Sequence, residues 1–118
     1  MTIDRHQQAG VEIVRLTGNL DGDEDAKVVE QLTDLLAKPG SRVLLDLGGV
    51  PFVNSTGLGN LVRIGAQANV QQSRIILANL TPFVAGVMET TQLNRFFEIC
   101  GSTEDALARF AHVPPAAR

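Results

Sequence analysis

The sequence predicts a single α/β domain built on a mixed sheet of four to five strands with about four helices. Three observations predict it. Short β-branched segments alternate along the chain with segments whose apolar residues recur at helical spacing. One short segment, Arg42 to Leu47, is almost continuously apolar, as expected of a strand covered on both faces. The chain has 118 residues, 44% of them hydrophobic, which is enough for one core and leaves no room for a second lobe.

The elements follow in order. Thr2 to His6 is read as an edge strand. Val11 to Thr17 is β-branched and ends at Gly18, so it reads as a strand. From Asp25 to Lys38 the apolar positions Val28, Val29, Leu32, Leu35 and Leu36 form one helix face, stopped by Pro39-Gly40. The strand Arg42–Leu47 is followed by a loop of small residues, then by a helix over about Thr56 to Val70 with Leu58, Leu61, Val62 and Gly65 inward. Ser73 to Ala78 is a strand. Thr81-Pro82 offers an N-cap and a first-turn proline for the next helix. Phe96 to Cys100 is the last strand, and Ser102-Thr103-Glu104-Asp105 resembles a capping box opening a final helix with Ala106, Leu107 and Phe110 inward. The domain is expected over residues 1–113, with 114–118, Pro114 to Arg118, as a disordered C-terminal tail.

Composition narrows the function. The formal net charge is −3, and the two lysines and scattered arginines form no basic stripe, which argues against nucleic acid as a partner. Asp21, Asp23, Glu24 and Asp25 read as a solvated helix start, because the spacing of a calcium loop is missing. The single Cys100 reads as a buried core thiol, and His6 and His112 lack metal-ligand spacing. No signal-peptide core or membrane-length apolar run is present, so a cytoplasmic location is expected.

The informative stretch runs from Asp46 to Gly59, from a buried strand through a loop into a helix. Gly57-Leu58-Gly59 begins like a dinucleotide fingerprint, but Val62 stands where the third glycine belongs and no acidic ribose partner follows. Val53 breaks the pattern of a nucleophile elbow at Ser55, and Asp105 and His112 lie on a terminal helix and near a loose tail. A phosphoacceptor receiver would need a lysine after the last strand, and none follows Lys38. What remains is Ser55 at a helix start, where unpaired N–H groups and the helix dipole favour an anion. Phosphate there would add roughly −1.5 to −2 charge to a surface carrying Asp21 and Asp23, if the loop after the second strand lies nearby. The local residues leave open a plainer role, in which Ser55 caps the helix and the two glycines permit close packing.

Over nearly its whole length the chain resembles STAS domains, specifically bacterial anti-sigma factor antagonists. The resemblance is carried by Gly18-Asn19-Leu20-Asp21, by Asp46-Leu47, Phe52 and Asn54-Ser55-Thr56-Gly57-Leu58-Gly59, by Asn79-Leu80-Thr81-Pro82, by Leu93 and by Phe97-Glu98-Ile99. It implies function by binding, with no catalytic residue, cofactor or metal. The implied partners are an anti-sigma factor that is also a serine kinase, whose capture releases a sigma factor, and a PP2C-type phosphatase. It implies Ser55 as the phosphorylation site. It implies a partner surface of Asp21, Asn54, Thr56, Gly57, Gly59, Asn60 and Arg63, on a monomer or weak dimer with no membrane contact. The family usually has Asp before the acceptor; here Asn54 keeps the turn propensity and loses the charge. That departure motivates an alternative, a non-switching scaffold subunit of a signalling or transport assembly.

Overall fold

The computed structural model describes residues 1–112; the expected tail, 114–118, lies outside them. The elements are β1 (Thr2–Gln8), β2 (Val11–Thr17), α1 (Asp25–Leu36), β3 (Arg42–Gly49), α2 (Ser55–Val70), β4 (Arg74–Ala78), α3 (Pro82–Thr90), a 3₁₀ turn (Leu93–Arg95), β5 (Glu98–Cys100) and α4 (Thr103–Ala111). The five strands lie in sequence order. β1 is antiparallel to β2, and every later neighbour is parallel. The mixed sheet with helical crossovers is the architecture expected from the alternation of periods.

The two faces of the sheet bury different residues, as the pleat requires. Val14, Leu16, Val43, Leu45, Leu47, Ile75 and Leu77 pack in one cluster with Val28, Leu32 and Leu36 of α1 and Leu61, Ile64 and Ala68 of α2. Val11, Ile13, Leu44, Ile76 and Ala78 face Ala106 and Phe110 of α4. Leu44 and Leu45 are both fully buried, which is why β3 reads as a continuous apolar run. Cys100 is buried in the α4-facing cluster, as expected of a core thiol.

Several elements differ from the sequence reading. Helix α1 ends at Leu36, two residues before Lys38. The buried face of α2 is Gly57, Leu61, Ile64, Gly65 and Ala68, while Leu58 and Val62 are half-buried. The two glycines decide this rotation. Gly57 lies against the Leu20 backbone, and a Cβ on Gly65 would come within 2.8 Å of both the Phe96 and Phe97 rings. Those rings meet edge to face at 4.9 Å. The last strand is accordingly shorter than expected and starts at Glu98. Thr81 occupies the N-cap of α3, but its hydroxyl donates to the Val50 carbonyl at 2.8 Å and does not cap the helix. The expected cap of α4 does form, with the Ser102 hydroxyl accepting from the Asp105 N–H at 3.1 Å. Among the described residues, no helix is long and apolar enough to cross a membrane.

Candidate partner-binding site

The site begins where β2 and β3 run out of regular pairing. The Gly18 N–H donates to the Gly49 carbonyl at 2.9 Å, the Leu20 N–H to Phe52 at 3.0 Å, and the Asn54 N–H back to Leu20 at 3.1 Å. Leu20 and Val53 form a parallel bridge, and both side chains are buried. Two loops distant in sequence are thereby fixed side by side, one carrying Asp21 and Asp23, the other carrying Ser55.

Asn54 joins them a second time. Its backbone is extended and it is the N-cap of α2. Its Oδ1 accepts from the Gly57 N–H at 2.9 Å, and its Nδ2 donates to the Asp21 carbonyl at 2.9 Å. An ionised Asp could make the first bond and not the second, because a carboxylate has no donor. The residue that departs from the resemblance therefore has a physical use here. The sequence pattern starts the helix at about Thr56 and leaves Ser55 as a candidate cap. The helix instead begins at Ser55, because Asn54 holds the capping position.

A third connection uses Asp25. The spacing of the acidic run predicts a solvated helix start, but Asp25 is only 1% exposed. Its Oδ2 accepts from the Gly22 N–H at 3.0 Å and from Asn60 Nδ2 at 3.0 Å, while Oδ1 has no protein partner. The paired donors hold this carboxylate inside the domain. Asp21 is half-buried and its Oδ1 accepts from the Asp23 N–H at 3.1 Å, which shapes the loop tip. Gly22 has φ +94°, and a Cβ there would stand 2.6 Å from Thr56 Cγ2. The acidic loop thus rests against the first turn of α2.

The expected site residues fall into two groups. Ser55, Thr56, Gly59 and Arg63 are exposed on α2 or its first turn. Asn54, Gly57 and Asn60 are turned partly or wholly inward: Gly57 is buried against Leu20, and Asn60 bonds Asp25. Arg63 donates to Asn60 Oδ1 at 3.4 Å. The Ser55 hydroxyl opens a 16-residue helix, at its positive end. The geometry can present one hydroxyl to a protein partner and accommodate an anion on it. Asp46 plays no part in that surface. Its carboxylate is bound by Arg15 Nη1 at 3.1 Å and by the Gly48 N–H at 2.9 Å.

Two features of the region escaped the sequence reading. Asp25 continues the spacing of Val28, Leu32 and Leu36, so helical period alone places it on the buried face. Phe52 stacks on Phe83 of α3 with ring centroids 5.4 Å apart. No pattern connects two aromatics 31 positions apart in the chain.

Comparison with known proteins agrees with this fold. The chain is 28% identical over 106 residues, 90% of its length and 91% of the relative's, to BtrV of Bordetella bronchiseptica, which carries the provisional name of anti-sigma factor antagonist. A Thermotoga maritima crystal structure with a similarly provisional name superposes with a TM-score of 0.86 at 20% identity, covering 93% of this chain and 95% of that one. The antagonist SpoIIAA in its unphosphorylated form shares the fold with a TM-score of 0.68 at 16% identity, covering 95% of this chain and 100% of that one. SpoIIAA of Bacillus also has a solved phosphorylated form, which superposes with a TM-score of 0.67 at 16% identity and covers 92% of this chain and 99% of that one. The sequence profile of the STAS domain matches residues 2–106, and the chain belongs to the STAS domain family.

Proposed function

We propose that the chain is an anti-sigma factor antagonist. Unphosphorylated, it binds an anti-sigma factor that is also a serine kinase, and so releases a sigma factor. The kinase then transfers phosphate from ATP to the Ser55 hydroxyl, which weakens the complex, and a PP2C-type phosphatase restores the hydroxyl. The observation that carries this reading is the exposed Ser55 at the start of α2, beside a loop fixed by Asn54 and bearing Asp21 and Asp23. The name of BtrV and the two phosphorylation states of SpoIIAA support it. The proposed partner surface comprises Asp21, Asn54, Thr56, Gly57, Gly59, Asn60 and Arg63. Asn54, Gly57 and Asn60 serve it chiefly by holding its shape, and the others by contact. The chain would act where transcription occurs, in the cytoplasm.

Phosphate would act by charge and by desolvation. It adds roughly −1.5 to −2 charge to a neighbourhood that already carries Asp21 and Asp23, and burying a dianion under a partner is costly. The test is phosphorylation by the cognate anti-sigma kinase with ATP, read by mass spectrometry, and binding of Ser55 variants. Ser55→Asp is expected to weaken binding more than Ser55→Ala. Equal effects would exclude charge as the switch. Tight binding without phosphate on Ser55 would leave the non-switching scaffold as the better reading.

A further inference from the structure

Outside the Ser55 loop, one surface has a composition that the proposed switch does not use. Phe52 is 41% exposed and Phe83 49% exposed, and the two rings stack on each other in the open. From Phe83 an apolar groove of about 460 Å³ continues along α3, lined by Pro82, Phe83, Gly86, Val87, Thr90 and Thr91, with no charged residue among them. A Cβ on Gly86 would meet nothing within 4 Å, so the groove is open at its middle.

We propose that this groove and the Phe52–Phe83 pair are the apolar anchor for the same protein that acts on Ser55. The inference rests on the reading of Ser55 as that protein's target. Its occupant is an apolar segment of the serine-kinase anti-sigma factor. Continuity is the first argument. Phe52 lies three residues before Ser55, so the two are at most about 11 Å apart along the chain. An interface of ordinary size covers about 800 Å² on each partner, a disc of about 16 Å radius. A partner centred on Ser55 with that footprint can reach the exposed Phe52 and, through the stacked rings, Phe83.

Chemistry is the second argument. The rim near Ser55 is polar and acidic at Asp21 and Asp23, which suits specificity and the switch but supplies little apolar burial. Aromatic side chains in well-packed pockets dominate interface affinity. The Phe pair is already ordered by its own stacking, so its docking costs little side-chain entropy. This arrangement also makes the switch sensitive. An apolar contact adjoining Ser55 excludes water, and a phosphate introduced at its edge loses hydration without gaining a partner on the bound protein.

The test is titration calorimetry of the purified chain against the purified kinase anti-sigma factor, followed by the kinetics of Ser55 phosphorylation. Phe83→Ser is expected to raise the dissociation constant about tenfold or more, while Phe83→Leu stays within about threefold. In phosphorylation, Phe83→Ser should raise KM and leave kcat unchanged, because Phe83 does not touch the reacting atoms. Gly86→Gln fills the groove without removing any packed side chain, and is expected to weaken binding similarly; it carries the test if Phe83→Ser does not fold. Val70→Ser, at an exposed apolar residue at the far end of α2, should change nothing. Binding by Phe83→Ser and Gly86→Gln within twofold of the unaltered chain overturns the anchor and leaves the Ser55 reading standing. Weakened binding with no phosphate ever found on Ser55 keeps the anchor and removes the switch. An unaltered chain that binds no anti-sigma factor overturns both.

Discussion

Gly57 and Gly59 stand two residues apart in one helix, and the same substitution at each should change stability in opposite directions. At Gly57 an added Cβ would overlap the Leu20 carbonyl oxygen and lie 2.5 Å from its carbon and 3.0 Å from the Leu20 Cβ. Backbone sits there, so no side chain can turn away. Relief needs the first turn of α2 to move about 1 Å off the Leu20 strand extension. That motion stretches the bonds of Leu20 N–H to Phe52 and of Asn54 N–H to Leu20, now 3.0 and 3.1 Å. Overpacking costs about 1–3 kcal/mol and each weakened bond about 1 kcal/mol, against a helix-propensity gain of about 1 kcal/mol. The net expectation for Gly57→Ala is a loss of about 2–4 kcal/mol.

At Gly59 an added Cβ meets nothing within 4 Å, and the residue is exposed in the helix interior. Gly59→Ala should therefore gain about 0.5–1 kcal/mol. The assay is urea unfolding followed by far-UV circular dichroism, since the chain has no Trp or Tyr for fluorescence. The midpoint should fall for Gly57→Ala and rise for Gly59→Ala with unchanged slope. Shifts of the same sign, or a Gly57→Ala loss under about 1 kcal/mol, would refute the close approach to Leu20. A stabilised Gly59→Ala that also binds its partner less well would mark Gly59 as a contact position, not a packing one.

Four further variants have expected outcomes. Asn54→Ala removes the helix cap and the bond to Asp21, and should cost about 2 kcal/mol in thermal or urea unfolding. Asn54→Asp keeps the cap, loses the donor and gains about 0.3–1 kcal/mol from the helix dipole, so its loss should be smaller than that of Asn54→Ala; a variant more stable than the parent would show that the Asp21 bond contributes nothing. Asp25→Ala strands the Gly22 N–H and the Asn60 amide, and should lose about 2 kcal/mol; a change under about 0.5 kcal/mol would contradict the part assigned to that carboxylate. The hydrogen bonds from Arg74 at 2.7 and 2.8 Å hold the Glu98 carboxyl below its ordinary value of 4.5, with the Arg74 and Arg109 charges assisting against burial. A lowered folded value means that this contribution is complete above the ordinary carboxylate range and disappears as pH falls through the folded value. Glu98→Gln should flatten that part of the acid limb while leaving the shape of the curve near neutrality unchanged, as pH-dependent unfolding would report.

Local pattern was a good guide wherever one element decides its own structure. β3 showed its double burial as the unbroken run Val43-Leu44-Leu45, and α1 showed its face as Val28, Leu32 and Leu36. Pattern failed where backbone contact between elements overrides it. For α2 the apolar spacing gives Leu61 and Gly65, which are buried, and Leu58, which packs against the core, but it also gives Val62, which is only half-buried, and omits Gly57, which is buried because a glycine permits an approach that no apolar side chain does. Asp25 departs from its local pattern for a related reason. Four acidic residues among the five from Asp21 to Asp25 suggest solvent, yet one of them follows the helix's buried period and finds its donors on Gly22 and Asn60, both outside the helix.

The sequence by itself determined the alternation of strands and helices, the single core, the likeness to STAS domains and the position of Ser55 at a helix start. These depend on period, length and contiguous motifs, which a linear chain carries openly. Only the tertiary structure decided which distant segments meet around the start of α2 and beside it. The Leu20–Val53 bridge, the Asn54 amide on Asp21 and the Phe52–Phe83 stack each join segments about 30 or more residues apart. Such contacts depend on how the ends of β2, β3 and β4 align in the sheet, and that register arises from packing across the whole domain.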